Sequence, residues 1–270
     1  MKPIVFLCFW VLVIFSATAQ TDPQTQAHGA RSQGMGNLKL FQKDAWSFFN
    51  NVGTMDRMED SELGVSIDQR FGLKELSTFS LAGLVKSEAG TFGFGVSRFG
   101  GELFNQQQLG VGFSNTLVIV SLGAKVYWFQ TLIEGFGTGN SFLISMGGVA
   151  QLGPDFFLGA HFSNLTQSKI SKNSDQALPT LIQLGVGYFP TKSLSIYSEL
   201  EKDVDLPAVF KLGIEYALSE WILLRTGVNS HPSRLSFGLG IRKSMFGFDY
   251  AYGQNSALGR THHVSLGLKF

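Results

Sequence analysis

Between Glu62 and Phe270 the sequence repeats one pattern. Apolar residues occupy every second position, with glycine, serine or an isolated charge between them. The clearest runs are Phe92/Phe94/Val96, Leu109/Val111/Phe113, Val120/Leu122/Ala124/Val126/Trp128, Ile182/Leu184/Val186/Tyr188, Leu235/Phe237/Leu239/Ile241 and Phe246/Phe248/Tyr250/Tyr252. Successive side chains of a strand point to opposite faces, so each run has one apolar face and one small or polar face. About fourteen such segments of eight to twelve residues can be marked out. Roughly ten residues is what a tilted strand needs to cross a bilayer. The pattern predicts an all-β fold, a transmembrane antiparallel up-and-down β-barrel of about 14 strands over residues 61–270.

The connections carry a second period. Short ones follow the even segments: Lys86–Gly90, Ser114–Thr116, Leu152–Asp155, Pro190–Ser193, Ala217–Glu220 and Lys243–Met245. Longer ones follow the odd segments: Phe99–Gln107, Gln130–Asn140, Ser163–Pro179, Lys202–Pro207 and Gly253–Arg260. Short periplasmic turns against longer external loops are the habit of bacterial outer-membrane barrels, so both chain ends are expected in the periplasm. Aromatic residues near the segment ends, Tyr127/Trp128/Phe129, Phe156/Phe157, Tyr188/Phe189, Trp221 and Tyr250/Tyr252, read as interfacial girdles. The last segment stops on Phe270. That ending resembles the closing strand of outer-membrane barrels, whose assembly machinery reads an aromatic C-terminus. It implies that machinery and outer-membrane lipid as partners.

Composition agrees with a membrane barrel. Hydrophobic residues make up 44% and charged ones 15%, below the quarter usual in soluble domains. The N-terminus sets the compartment. Met1-Lys2, an apolar run from Pro3 to Phe15 and the exit Ala17-Thr18-Ala19 read as a signal peptide, residues 1–19, cut after Ala19. Cys8, the single cysteine, lies in the apolar run and leaves with it, which excludes a disulfide framework. Loss of Lys2 brings the formal charge from +1 to zero. Nothing in that balance suggests nucleic acid.

Residues 20–60 break the alternation and read as a plug-like segment. A short amphipathic helix is expected around Lys43–Asn51, with Trp46, Phe48 and Phe49 available for packing. A lumen of fourteen strands holds either water or a filler, and this segment is the natural filler. Its order of residues, Gly29-Ala30-Arg31, Gly34-Met35-Gly36, then Asp44-Ala45-Trp46-Ser47-Phe48-Phe49-Asn50-Asn51, resembles the N-terminal signature of FadL-type fatty-acid channels and of the related PorV/PorQ-type barrels associated with type IX secretion. The resemblance covers about 25 residues by motif. It makes Gly29, Ala30, Arg31, Gly34, Met35, Gly36, Asp44, Trp46, Asn50 and Asn51 the family-motif residues. Where that family continues Asn-Pro-Ala-Gly, this chain has Asn51-Val52-Gly53-Thr54.

No catalytic or metal-binding set emerges, and no cofactor is expected. His262 and His263 fall on opposite faces of one strand, and Gly135-Phe136-Gly137-Thr138-Gly139 lacks the lysine of a phosphate loop. The acidic run Glu199, Glu201, Asp203, Asp205 reads as a solvated strand end. Strand parity sends Asp68, Arg70, Lys125, His161, Glu199, Glu201, Lys211, Glu215, Arg225, Arg242, Asp249, His263 and Lys269 to the lumen. Their signs nearly balance, whereas an ion-selective pore has one dominant sign. A paired luminal network built on Lys125, Glu199, Lys211, Glu215, Arg225, Arg242 and Asp249 is therefore expected. A non-enzymatic barrel can act in two ways. The resemblance implies either a PorV/PorQ-like binding protein, with secretion-system components or exported cargo as partners, or a FadL-like channel for hydrophobic small molecules. At about 250 mature residues the chain is short for such a channel, which favours the first.

Overall fold

The structure is a computed structural model and describes residues 23–170, 177–256 and 258–270. The expected signal peptide lies outside the described residues. Fourteen strands follow one another: β1 (Glu62–Arg70), β2 (Leu73–Ser87), β3 (Gly90–Gly100), β4 (Phe104–Leu117), β5 (Val120–Ile133), β6 (Gly137–Gln151) and β7 (Phe156–Ser163), then β8 (Leu181–Thr191), β9 (Leu194–Asp203), β10 (Val209–Ala217), β11 (Ile222–Asn229), β12 (Arg234–Lys243), β13 (Phe246–Asn255) and β14 (Gly259–Lys269). Each pairs antiparallel with its neighbour in sequence, and β1 pairs with β14 to close the barrel. Closure pairs the two end strands with each other, as β-structure inside hydrocarbon requires, while β6 beyond its pairing with β7 at residues 146–151 is bordered by the loop that follows β7.

The apolar runs face outward. Phe92, Val111, Leu122, Phe142, Leu184 and Leu266 are each about half exposed or more. Their neighbours Gly93, Gly112, Gly123, Leu143, Gly185 and Ser265 face the lumen. The girdle expectation needs correction, because adjacent aromatics split between the faces. Phe156, Tyr188 and Trp221 lie outside, whereas Phe129 is buried within, beside Tyr127, and Phe157 and Phe189 pack inward on Tyr197. Period two permits no other outcome for consecutive residues.

The parity of the connections is present but muted. At the end that holds Glu62 and Phe270 the turns are 88–89, 118–119, 152–155, 192–193, 218–221 and 244–245. At the opposite end they are 71–72, 101–103, 134–136, 204–208, 230–233 and 256–258, with one long loop, 164–180. Most of Phe99–Gln107, Gln130–Asn140 and Gly253–Arg260 is strand instead of loop, and β2, β4, β5 and β6 run to 14 or 15 residues. The polar residues there alternate and pair across strands as the apolar ones do, for instance Gln107↔Gln130 and Gln130↔Asn140. Ser114–Thr116 likewise belongs to β4, and the turn is Val118–Ile119.

Leu239 sits mid-strand on the outer face of β12, 37% exposed. Leu239→Arg should cost about 2–4 kcal/mol near the bilayer midplane. Urea titration of the vesicle-folded protein, followed by tryptophan fluorescence, checks this.

Candidate functional site

The segment before β1 runs inside the barrel. It has little regular structure: helix α1 (Ala30–Gly34), helix α2 (Ser47–Asn50) and a 3-10 stretch Val52–Arg57. The single helix expected over Lys43–Asn51 is thus a four-residue turn, and α1 was not foreseen. Space for the segment comes from inward-facing glycines. A Cβ at Gly227 would lie 2.1 Å from the Met35 carbonyl carbon, at Gly213 2.5 Å from Leu38 Cδ1, and at Gly95 2.5 Å from Phe48 Cδ1. At Gly123 it would lie 2.6 Å from the Val52 oxygen, and at Gly147 2.1 Å from Asn51 Oδ1. No side chain fits at these positions while the plug is in place.

The motif residues are the ones that lie against this floor or hold the plug's turns. Gly29, at φ +85°, backs onto Trp46, and Gly34 lies against Gly238. Gly36, at φ +76°, lies against the Val228 backbone. The Ala30 amide donates to Ser265 Oγ at 3.2 Å, and the Trp46 amide donates to Asp44 Oδ1 at 3.1 Å. Asn50 clamps the His28 peptide from both sides, accepting from its N–H at 2.8 Å and donating to its carbonyl at 2.9 Å. Asn51 donates to the Leu40 carbonyl at 2.9 Å and accepts from the Gly53 amide at 3.1 Å. Met35, Leu38, Leu40 and Phe41 form a core with Val149 and Tyr197 of the wall. Phe270 lies outside all this, 71% exposed at the rim, its amide donating to the Ser61 carbonyl.

The luminal charges form two ion-paired chains that tie plug to wall. In the first, Glu215 binds both Arg31 (2.6 Å) and Arg225 (2.5 Å). Arg225 reaches Asp249 at 2.7 Å, and Asp249 takes Arg242 at 2.9 Å. In the second, Glu201 is shared by Lys39 (3.1 Å) and Lys211 (2.9 Å), while Glu199 accepts the backbone amides of Lys39 and Leu40. The acidic run on β9 is therefore buried inside, not solvated: Glu199, Glu201 and Asp203 are all under 5% exposed. Two luminal placements differ from a carboxylate-paired network. Lys125 donates to the carbonyls of Phe48 (2.9 Å) and Phe49 (2.6 Å), and Lys269 sits at the rim, paired with Asp60 at 3.4 Å. Sequence reading missed Lys39, whose apolar neighbours hid it, and Arg234, which shares the parity of Arg242. Within the plug, burial lowers the His28 imidazole to about 3 and the Lys39 ammonium to about 8, the latter against the pull of Glu201.

Above the plug, at the end opposite Glu62 and Phe270, a cavity of about 410 Å³ opens. Phe71, Leu76, Phe99, Pro232 and Leu258 are among its apolar walls, with Arg70, Arg234, Thr261 and Gln26 at its polar side. Across the lumen, Leu178 and Ile170 of the long loop fold onto Tyr127, Phe129 and Leu143. A larger concavity, about 950 Å³, lies outside on the lipid-facing wall, where small Gly148 and Ala160 interrupt a row of leucines. In a bilayer that hollow belongs to acyl chains.

No protein-family model matches the chain, and no curated protein matches it in sequence. Among solved structures it is similar to the monoaromatic hydrocarbon channel CymD, at 16% identity over 92% of this chain and 98% of that one, TM-score 0.68. It is also similar to the toluene transporter TbuX of Ralstonia pickettii, at 14% identity over 91% and 99%, TM-score 0.69. A third likeness is to a FadL homologue of Pseudomonas aeruginosa, at 13% identity over 90% and 98%, TM-score 0.61. At these identities the likeness is one of fold, that of the closed antiparallel barrel.

Two predictions follow from the plug contacts. Glu201→Ala strands two buried ammonium groups and should cost about 3–5 kcal/mol. Arg225→Ala should cost clearly less, since Glu215 keeps Arg31 and Asp249 keeps Arg242. Urea titration of the vesicle-folded variants compares them. The second concerns pH. The unfolded or undocked His28 takes a proton near pH 6.5, while the docked ring stays neutral to about 3. Fewer protons are bound in the docked state, so docking weakens as pH falls through that window. Conductance in planar bilayers should rise between pH 7 and pH 4, and His28→Gln should flatten that rise.

Proposed function

We propose that this chain is an outer-membrane channel that admits hydrophobic small molecules, and is not an open porin. The observation that carries the reading is the sealed lumen beneath an apolar-walled cavity. The plug fills the barrel on the side of Glu62 and Phe270, held by buried ion pairs and a glycine floor. The cavity above it, about 410 Å³, falls in the size range of small-molecule sites. Its apolar walls take an uncharged or amphipathic molecule out of water, which a water-filled, ion-lined pore does not do. Passage then requires part of the plug to move. The solved structures described as hydrocarbon and toluene transporters support this reading over a scaffold role. The likeness to them extends over 98% and 99% of those chains and is not confined to a part of the barrel. The PorV/PorQ-type reading keeps the Gly29–Asn51 motif as its support, and that motif is shared with the channels.

Cells carrying the chain in their outer membrane should accumulate radiolabelled toluene faster than cells without it. Deleting residues 29–51 should raise single-channel conductance in planar bilayers at least severalfold by emptying the lumen. Unchanged uptake, together with co-purification of an exported protein or a secretion component from the native envelope, would return the assignment to a scaffold.

A further inference from the structure

Arg234 stands in the wall of the cavity at the loop end. Among the described residues the lining holds no carboxylate, and its other guanidinium, Arg70, is engaged over the Phe99 ring and with Thr78 Oγ1. The nearest acid on the wall beneath, Asp68, already accepts from His263 Nδ1 at 2.7 Å. Arg234 is 8% exposed and uses one edge only: Nη2 donates to Thr261 Oγ1 at 3.0 Å and bonds His263 Nε2 at 2.9 Å. Its Nε has no partner, and no carboxylate among the described residues lies within ion-pair distance of it. In the plugged half of the barrel Arg31, Arg225, Arg242, Lys39 and Lys211 each have one, and Lys125 is met by two backbone carbonyls. A buried guanidinium without an anion is costly unless something brings one.

The walls state what body the anion has. Phe71 is held at the tip of the two-residue β1–β2 turn with φ +55°, a left-handed backbone that bulky residues rarely adopt. Phe99 lies opposite with the Arg70 guanidinium 5.4 Å from its ring centre, and Leu76 and Leu258 complete the apolar surface. Gln26 of the plug also lines the cavity, and with the plug beneath, the space is compact instead of a long tunnel.

We propose that this cavity is a binding site for a small aromatic carboxylate, with the carboxylate on Arg234 and the ring between Phe71, Leu76 and Phe99. The proposal rests on the channel reading for its place in uptake, but the binding itself does not need transport. A guanidinium presents paired N–H donors that suit a carboxylate, and its hydrogen bonds to charged groups are stronger than those to neutral ones.

The test uses the detergent-folded full-length protein and three ring-matched probes, benzoate, benzyl alcohol and benzylamine, with binding read by isothermal titration calorimetry. Benzoate should bind at least about tenfold more tightly than benzyl alcohol, the gap expected of a charge-assisted hydrogen bond, and benzylamine should not bind. Arg234→Gln should erase the benzoate preference. Leu76→Trp, which fills the cavity and leaves every charge in place, should abolish binding of both benzoate and benzyl alcohol. Equal affinity for the three probes, or a benzoate preference that survives Arg234→Gln, overturns the proposal. Toluene uptake by cells is measured in parallel. Benzoate binding without uptake keeps the site and refutes the channel, whereas uptake without benzoate preference keeps the channel and refutes the site.

Discussion

A plug with almost no regular secondary structure lies in a water-poor lumen, and each of its backbone polar groups needs a partner there. The wall supplies many of them. Glu199 takes the amides of Lys39 and Leu40, Ser265 takes that of Ala30, and Lys125 covers the carbonyls of Phe48 and Phe49. Ser114 and Ser121 both donate to the Gly53 carbonyl. The inward polar positions thus act as the second strand that this segment lacks. Glycines between them let the segment come close enough to use these groups. A larger residue at Gly227 or Gly147 removes the space and the hydrogen bonds together.

The ion pairs add location to this satisfaction. Burying a charge pair rarely gains much net stability over an apolar replacement, but removing one partner is expensive. Arg31 with Glu215, and Lys39 with Glu201, therefore set where the plug must sit more than how firmly. An alternative register would take Arg31 and Lys39 from their carboxylates, while Glu215 and Glu201 would keep only their wall partners Arg225 and Lys211. The glycine floor makes the same discrimination by volume, since the segment lies where Gly95, Gly123, Gly147, Gly213 and Gly227 carry no side chain.

Strand number, closure and the inside–outside division were legible because period two is a direct projection of a pleated sheet onto sequence. The aromatic girdles and loop lengths were less so. Tyr127, Trp128 and Phe129 look like one cluster in sequence, yet alternation puts Tyr127 and Phe129 inside. Polar stretches such as Gln106–Gln108 look like loop, yet a strand that rises above the bilayer has no reason to stay apolar. The plug resists sequence reading for a different cause. Its conformation is fixed by partners 160 to 235 residues away, as at Lys39–Glu199 and Ala30–Ser265, and no local periodicity encodes those contacts. The loop-end cavity is hidden for the same reason, being assembled from β1 to β3, β11 to β14 and the plug.

The way the plug is held also decides which part of it is able to give. Moving Lys39 and Leu40 breaks the bonds to Glu199 and the pair with Glu201, all of them charged and buried. Moving Arg31 breaks its pair with Glu215. Such steps cost several kcal/mol each and are poorly matched to repeated opening. Ala27 and His28 are held differently. The Ala27 amide donates to Asn37 Oδ1, and His28 bonds Asn50 through its backbone and Ser80 Oγ through its neutral ring. These are neutral hydrogen bonds, each worth on the order of 1 kcal/mol net. Gln26, next to them, is part of the cavity lining. The stretch that a molecule in the cavity meets first is therefore held at Ala27 and His28 by neutral groups. On the channel reading, opening at the top of the plug leaves the pairs of Arg31 and Lys39 with their carboxylates intact.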